Sequence, residues 1–237
     1  MLKIAIVDKI HSDGIKLLED NPKFQYEIIE DLSKKNLISK LPNFDGITLR
    51  RGKIDAEILE ECKKLKVISR HGVGYDNVDI KFLKKSNITL LVTATTTAVS
   101  PAEHIMFMIL NISKGIDLYD KAVRDGKFDS IMHMKNNNNF ELANKKFLII
   151  GFGRIGRKLI KRCLGFEMKV YVYDPFVDQK TIESLGGIKV NDLNEGLKEA
   201  DILSLSVPLT EKTHNMINLE KMKIMKKSAV IINISRG

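Results

Sequence analysis

From Met1 to Val92, short apolar runs alternate with stretches whose apolar residues recur every three or four positions. Runs bounded by turn residues read as strands, and the longer period reads as helix. The pattern predicts strands at Lys3–Val7, Tyr26–Ile29, Gly46–Leu49, Val67–Ser69 and Thr89–Val92. Helices are predicted over Asp13–Glu19, Lys34–Leu41, Ala56–Cys62 and around Phe82–Lys85. Short strands separated by amphipathic helices imply a parallel sheet covered on both faces. Polar and β-branched residues across Thr93–Val99 break the pattern, which predicts one domain over residues 1–98 and a second over 99–237.

Past that break, Ser100 reads as an N-cap, Pro101 as the first helical residue and Glu103 as an early acid. The helix through Ala102–Ser113 is apolar nearly all round, so it is expected to be buried between domains or against a second subunit. Residues 126–142 are less regular, and the run Asn136–Asn139 reads as a mobile loop. From Lys146 the alternation resumes. Strands are expected at Phe147–Ile150, Val170–Tyr173, Ile188–Val190, Asp201–Ser206 and Ser228–Ile234, with helices at Ile155–Leu164, Gln179–Leu185 and Leu193–Glu199.

Within this half lies the segment Lys146-Phe-Leu-Ile-Ile-Gly-Phe-Gly-Arg-Ile-Gly156, an apolar strand that breaks into a glycine turn and opens a helix. A second strand follows and ends in Asp174, 18 residues beyond Gly156. A glycine turn alone is a weak signal. The strand, turn, helix, second strand and terminal acid together make the dinucleotide fingerprint. Gly151 permits the tight turn, Gly153 lets a pyrophosphate approach the backbone, and Gly156 lets helix and strand pack closely. The helix start offers unpaired N–H groups to phosphate. Asp174 would accept hydrogen bonds from the adenosine ribose and repel a 2′-phosphate, so NAD is the expected cofactor rather than NADP. The fold class expected is α/β, with two doubly wound parallel-sheet domains, the first flavodoxin-like and the second of Rossmann type.

Composition narrows the field further. The net charge is +9, but the lysines sit in pairs along predicted helices (Lys34-Lys35, Lys63-Lys64, Lys84-Lys85, Lys226-Lys227), as solvated faces do. No basic stretch interleaves with aromatics and the chain has no tryptophan, so no nucleic-acid partner is expected. No apolar run reaches the ~18–20 residues that span a bilayer, and Met1–Asp8 enters a strand without a signal-peptide layout. Cys62 and Cys163 have neither metal nor redox spacing, so no metal is expected. These features fit the cytoplasm, and the two cysteines read as small helix residues.

Four separated motifs carry a family resemblance. They are Arg70-His-Gly-Val-Gly-Tyr-Asp-Asn-Val-Asp79, Ser100-Pro-Ala-Glu103, Ile149-Ile-Gly-Phe-Gly-Arg-Ile-Gly156 and Ile231-Ile-Asn-Ile-Ser-Arg-Gly237. In this order they resemble the D-2-hydroxyacid dehydrogenases, and most closely the D-3-phosphoglycerate dehydrogenase branch. The resemblance implies a substrate domain followed by an NAD-binding domain, a small 2-hydroxy or 2-keto acid substrate, and a homodimer formed through helix 102–113. It implies that the amides at Val73 and Gly74 hold the substrate carboxylate. Arg236 is implied as the catalytic arginine that grips the carboxylate and the 2-oxygen. Arg154 and Ile155 are implied at the pyrophosphate, and Val207, Pro208 and Ile234 along the adenine and nicotinamide regions. Arg50 resembles the position that helps bind a substrate phosphate.

The chain also departs from the family pattern. Arg51-Gly52-Lys53 replaces the usual serine- and threonine-bearing run, which leaves the particular acid open. Thr97 stands where asparagine is frequent, and Ser206 where histidine is common ahead of Val207-Pro208. His71 reads as a packing or surface residue, His104 as a core or interface residue, and His214 as a structural one. The family's mechanism uses a histidine general acid/base oriented by a glutamate, both beyond the arginine motif, and this chain offers no histidine at the matching place. Two readings follow: a dehydrogenase truncated after its fifth nucleotide-domain strand, which is the favoured one, or a non-catalytic NAD-binding sensor or interaction protein.

Overall fold

The computed structural model describes residues 1–93, 98–132 and 139–236. The chain divides into two compact units, Met1–Thr97 and Ala98–Gly237.

The first unit holds a five-stranded parallel sheet in the order β2-β1-β3-β4-β5. Its strands are β1 (Leu2–Val7), β2 (Phe24–Ile29), β3 (Gly46–Leu49), β4 (Val67–Arg70) and β5 (Thr89–Val92). Four helices connect them: α1 (Ser12–Glu19), α2 (Lys34–Lys40), α3 (Ala56–Glu61) and α4 (Ile80–Lys85). Asp55 and Asp79 start α3 and α4 by accepting the N–H of Ile58 and Phe82. Ala5, Ile6 and Val7 are fully buried because β1 is central and covered on both faces. The chain leaves β1 toward β2 on one side and returns to β3 on the other. The C-terminal ends of β1 and β3 therefore meet at the switch point of a flavodoxin-like order, the place where open α/β sheets bind ligands.

The second unit opens on the long helix α5 (Val99–Lys114), then α6 (Ile116–Arg124) and the short α7 (Phe128–Met132). Its parallel sheet has β6 (Lys146–Ile150), β7 (Lys169–Tyr173), β8 (Ile188–Lys189), β9 (Ile202–Leu205) and β10 (Val230–Asn233). Helices α8 (Arg154–Gly165), α9 (Gln179–Glu183), α10 (Leu193–Glu199) and α11 (Leu219–Ile224) complete it. The strand order β10-β9-β6-β7-β8 is that of a Rossmann-type open sheet, with β6 and β9 at its switch point. Along β6, Phe147 and Ile149 join the core beneath α5 and α8, whereas Leu148 and Ile150 join the core on the α10 side. That alternation follows from the two-residue period of a strand with a covered layer on each face. Both sheets have the doubly wound parallel architecture that the periodicity predicts. Among the described residues, no helix is long and apolar enough to cross a membrane.

The structure refines three expectations. First, α5 begins at Val99 behind Ala98 and has no side-chain cap, so Ser100 is not the N-cap and Pro101 is not the first helical residue. A proline is tolerated there because the first turn's N–H groups lack intrahelical acceptors anyway. Second, α5 is covered along one stripe only within this chain, which leaves its other face for the burial between domains or against a second subunit that its sequence predicts. Ala102, Ile105, Met106, Ile109 and Ser113 form a buried stripe against α8, while Phe107 (57% exposed) and Ile112 face outward. His104 is exposed with them and stacks on Phe107 at 5.9 Å between ring centres, so it is not a core residue. Third, the stretch read as irregular from residue 126 contains α7, and α6 and α11 were not anticipated. Thr97 and Asn136–Asn138 lie outside the described residues.

Candidate nucleotide and substrate sites

The nucleotide site is built at the C-terminal end of β6. Gly151 sits at φ +92, and a Cβ there would stand 2.6 Å from the Ser206 carbonyl oxygen. Only glycine satisfies both the backbone angle and the space. A Cβ on Gly156 would stand 2.6 Å from the Gly151 carbonyl, which explains how α8 comes so close to the strand it follows. Gly153 differs from both: a Cβ there would meet nothing within 4 Å. The space above Gly153 is open, and it lies at the N-cap of α8, where no side chain caps the helix. The N–H groups of Arg154, Ile155 and Gly156 have no acceptor among the described residues, the first amide bonded back into the helix being that of Arg157. Uncapped amides and the positive end of α8 make an anion cradle.

Asp174 follows the last residue of β7 and bonds to this turn. Its Oδ2 accepts the Phe152 N–H at 2.7 Å and its Oδ1 accepts the Phe176 N–H at 2.9 Å. Each bond takes one lone pair, so the carboxylate keeps acceptor capacity for a ligand hydroxyl. The Lys189 ammonium donates to the carbonyls of Asp174, at 3.1 Å, and Val177. The Ser206 hydroxyl, at the end of β9, is buried with no hydrogen-bond partner among the described residues. An open glycine cradle, free helix amides, an anchored acid and an orphaned hydroxyl at one sheet end fit a dinucleotide.

Val207 and Pro208 continue from β9. The Val207 N–H donates to Ser235 Oγ at 3.0 Å, and the Pro208 carbonyl accepts the Thr213 hydroxyl. Ser235 thus ties the end of β10 to the segment after β9. Asn233 makes a second clamp: its Nδ2 donates to the Arg236 carbonyl at 3.0 Å, and its Oδ1 accepts the Ser235 N–H at 2.9 Å. Arg236 itself is exposed, with Nη1 donating to the Ser235 carbonyl at 3.0 Å, and Ile234 beside it is half-buried. Reading the sequence for chemistry overlooked Asn233, Ser235 and Lys189, because all three act on backbone. The Asx pattern at Asn233, two residues ahead of a bonded N–H, was the one signal available.

In the first unit the turn after β4 bends at Gly72, whose N–H donates to Thr93 Oγ1 at 2.7 Å. Arg70 Nη1 reaches the carbonyls of His71 and Leu49 from the same strand end. Past this bend, Val73 is 47% exposed, and neither its N–H nor that of Gly74 has a hydrogen-bond partner among the described residues. Arg50 follows β3, its Nη1 3.3 Å from the Lys9 carbonyl and 3.6 Å from Asp8 Oδ2. Arg51 clasps Asp8 with both ends of its fork, Nε to Oδ2 at 2.6 Å and Nη2 to Oδ1 at 3.1 Å. The bonds from Arg51 hold the buried Asp8 carboxyl below the usual carboxylate range against the opposing effect of burial. Basic side chains thus gather at the first unit's switch point around one anchored acid. His71 and His214 are exposed and lie on turns.

Comparison with known proteins agrees with this geometry. Residues 106–237 match the family model for the D-isomer specific 2-hydroxyacid dehydrogenase, NAD binding domain. A D-3-phosphoglycerate dehydrogenase of Methanocaldococcus jannaschii is 36% identical over all of this chain, which spans 44% of that relative's length. A glyoxylate reductase of Pyrococcus furiosus is 32% identical over 99% of this chain and 71% of its own length. The solved structure of the PH0520 protein from Pyrococcus horikoshii superposes with a TM-score of 0.80 at 30% identity, covering all of this chain and 71% of the other. NAD is therefore the cofactor for which the second unit is built, and the chain belongs to the D-isomer specific 2-hydroxyacid dehydrogenase family.

Proposed function

We propose that this chain supplies the substrate- and NAD-binding parts of an oxidoreductase acting at C2 of a D-2-hydroxy or 2-keto acid, with a 3-phosphoglycerate-like acid as the leading substrate. The observation that carries the reading is the 151–156 turn, where uncapped helix amides face open space above Gly153 with the Asp174 carboxylate tied to the same turn. Bound NAD supplies the hydride acceptor or donor.

The remaining work belongs to the chain's own residues. The helix-start amides of Arg154 and Ile155 neutralise the pyrophosphate, Asp174 holds the ribose hydroxyls, and Val207, Pro208 and Ile234 present apolar surface to the rings. In the first unit the free amides of Val73 and Gly74 accept a carboxylate, as unpaired N–H groups accept any anion. The guanidinium of Arg236 matches a carboxylate and a neighbouring carbonyl oxygen in one plane, and stabilises the charge that builds on that oxygen during reduction. Arg50, half-exposed at a strand end, suits a substrate phosphate. The apolar residues Phe107 and Ile112 support pairing of two copies through helix 102–113, which sedimentation of wild type against Phe107→Glu would test.

Asp174→Ala should weaken NADH binding about tenfold, the loss of one or two hydrogen bonds to a charged acceptor. It should also relax discrimination against NADPH. Unchanged affinity and unchanged discrimination would sink the assignment.

A further inference from the structure

Asp174 can discriminate between nucleotides only if its carboxylate stays where the ribose arrives. The loop that follows it, residues 174–178, has one apolar anchor: Phe176 is 90% exposed, and half-buried Val177 packs on the core. Besides the Asp174–Phe152 bond, the loop is tied to the sheet by one side chain from the neighbouring strand. Lys189, on the edge strand β8 and in register with Val172 of β7, sends its ammonium to the carbonyl oxygens of Asp174 and Val177. These two carbonyls bracket the loop. Among the described residues no carboxylate lies within ion-pair distance of Lys189; its ammonium donates to two backbone carbonyls, and its charge acts at longer range on the Asp178 carboxylate.

We propose that Lys189 is a positioning residue for nucleotide selectivity: by clamping both ends of the 174–177 loop it fixes the Asp174 carboxylate that admits NADH and rejects NADPH. The proposal rests on the ribose role of Asp174. The carboxylate is held from two sides, by the Phe152 and Phe176 amides at its oxygens and by Lys189 at its own carbonyl. Removing the ammonium leaves two half-buried carbonyls without their donor, and the loop must shift to hydrate them. A displaced acid bonds the ribose less well and repels a 2′-phosphate less strongly. NADH affinity should fall while NADPH is tolerated better.

A field effect would act in the opposite sense. Lys189 is a cation near the ribose position, and deleting a cation disfavours the more highly charged NADPH. The sign of the change in selectivity therefore separates positioning from simple charge.

The experiment titrates NADH and NADPH into the full chain by nicotinamide fluorescence, for wild type, Lys189→Met, Lys189→Arg and Asp174→Ala. Lys189→Met should lower NADH affinity about five- to tenfold and narrow the NADH-to-NADPH ratio by a similar factor, the scale of two charge-assisted bonds partly replaced by water. Lys189→Arg, which still donates to two carbonyls, should stay within about threefold of wild type. Three results would overturn the proposal: both affinities unchanged in Lys189→Met, both falling together, or NADPH falling more than NADH. A Lys189→Arg variant as impaired as Lys189→Met would overturn it too. If Asp174→Ala leaves the ratio untouched, the ribose role fails; if Asp174→Ala relaxes it and Lys189→Met does not, Lys189 alone is wrong.

Discussion

Asp8 shows how a single residue can tie a site together without any signal in the sequence. It follows β1 with φ +71, a conformation that aspartate and asparagine tolerate better than most residues, and its partner Arg51 lies 43 positions away. Asp8→Asn keeps the backbone preference and removes the charge, so it isolates the pair. The variant should cost about 1–3 kcal/mol at pH 7, as a buried acceptor loses a charge-assisted partner. Because the folded carboxyl is held below its ordinary value, the contribution is complete above about pH 4 and is lost as pH falls through the depressed folded value. Urea midpoints of wild type and variant should thus converge in acid, and a constant gap at every pH would refute the pairing. The two cysteines read from the sequence as small helix residues, and the structure buries both, Cys163 within α8 and Cys62 at the end of α3. Burial pushes the Cys62 thiol up to about 11 and the Cys163 thiol up to about 12. Neither should react with an aromatic disulfide reagent at pH 8 until the chain is unfolded; fast reaction in the native state would contradict their burial.

At the scale of elements, the strand–turn–helix at 146–165 was legible because three glycines, an apolar run and a distant acid must all agree. The structure separates the glycines by physical role. Gly153→Ala should fold with stability within about 0.5 kcal/mol of wild type, since its Cβ meets only open space. It should nonetheless bind NADH at least about tenfold more weakly, one bond to a phosphate being worth about 1.5–3 kcal/mol. Gly156→Ala forces a Cβ against the Gly151 carbonyl and should cost about 1–3 kcal/mol of stability as well. Equal effects of the two substitutions on stability would contradict this division of labour. Counting the apolar residues of α5 does not reveal which stripe finds which partner; within this chain Ile105 and Ile109 are buried on the side of α8 and Phe107 is left exposed. Helix α6 escaped notice because Gly115, in the left-handed conformation, ends one helix and begins the next with no intervening loop.

At the scale of the molecule, each unit has its own buried core, from Ala5 to Ile88 in one and from Ala102 to Ile232 in the other. A ligand that binds one native unit stabilises that unit by mass action, by about 2.7 kcal/mol at a hundredfold excess over Kd. NADH should therefore slow hydrogen exchange at amides of β6, β7 and β9 and leave those of β1 and β3 largely unchanged; uniform protection would argue for one cooperative body. The strand order has a consequence for biosynthesis. The central strand β6 leaves the ribosome before any of its neighbours, and the Asp201 carboxylate that takes the Lys146 N–H is 55 positions downstream. At a translation rate of ~5–20 residues per second, that separation lasts roughly 3–11 s. Throughout this interval the most apolar strand of the second unit lacks one flank, and the glycine turn lacks the Ser206 carbonyl against which it is later packed. The nascent chain must carry its nucleotide-binding signature unpaired, which makes β6 the segment that a ribosome-associated holdase has most reason to meet.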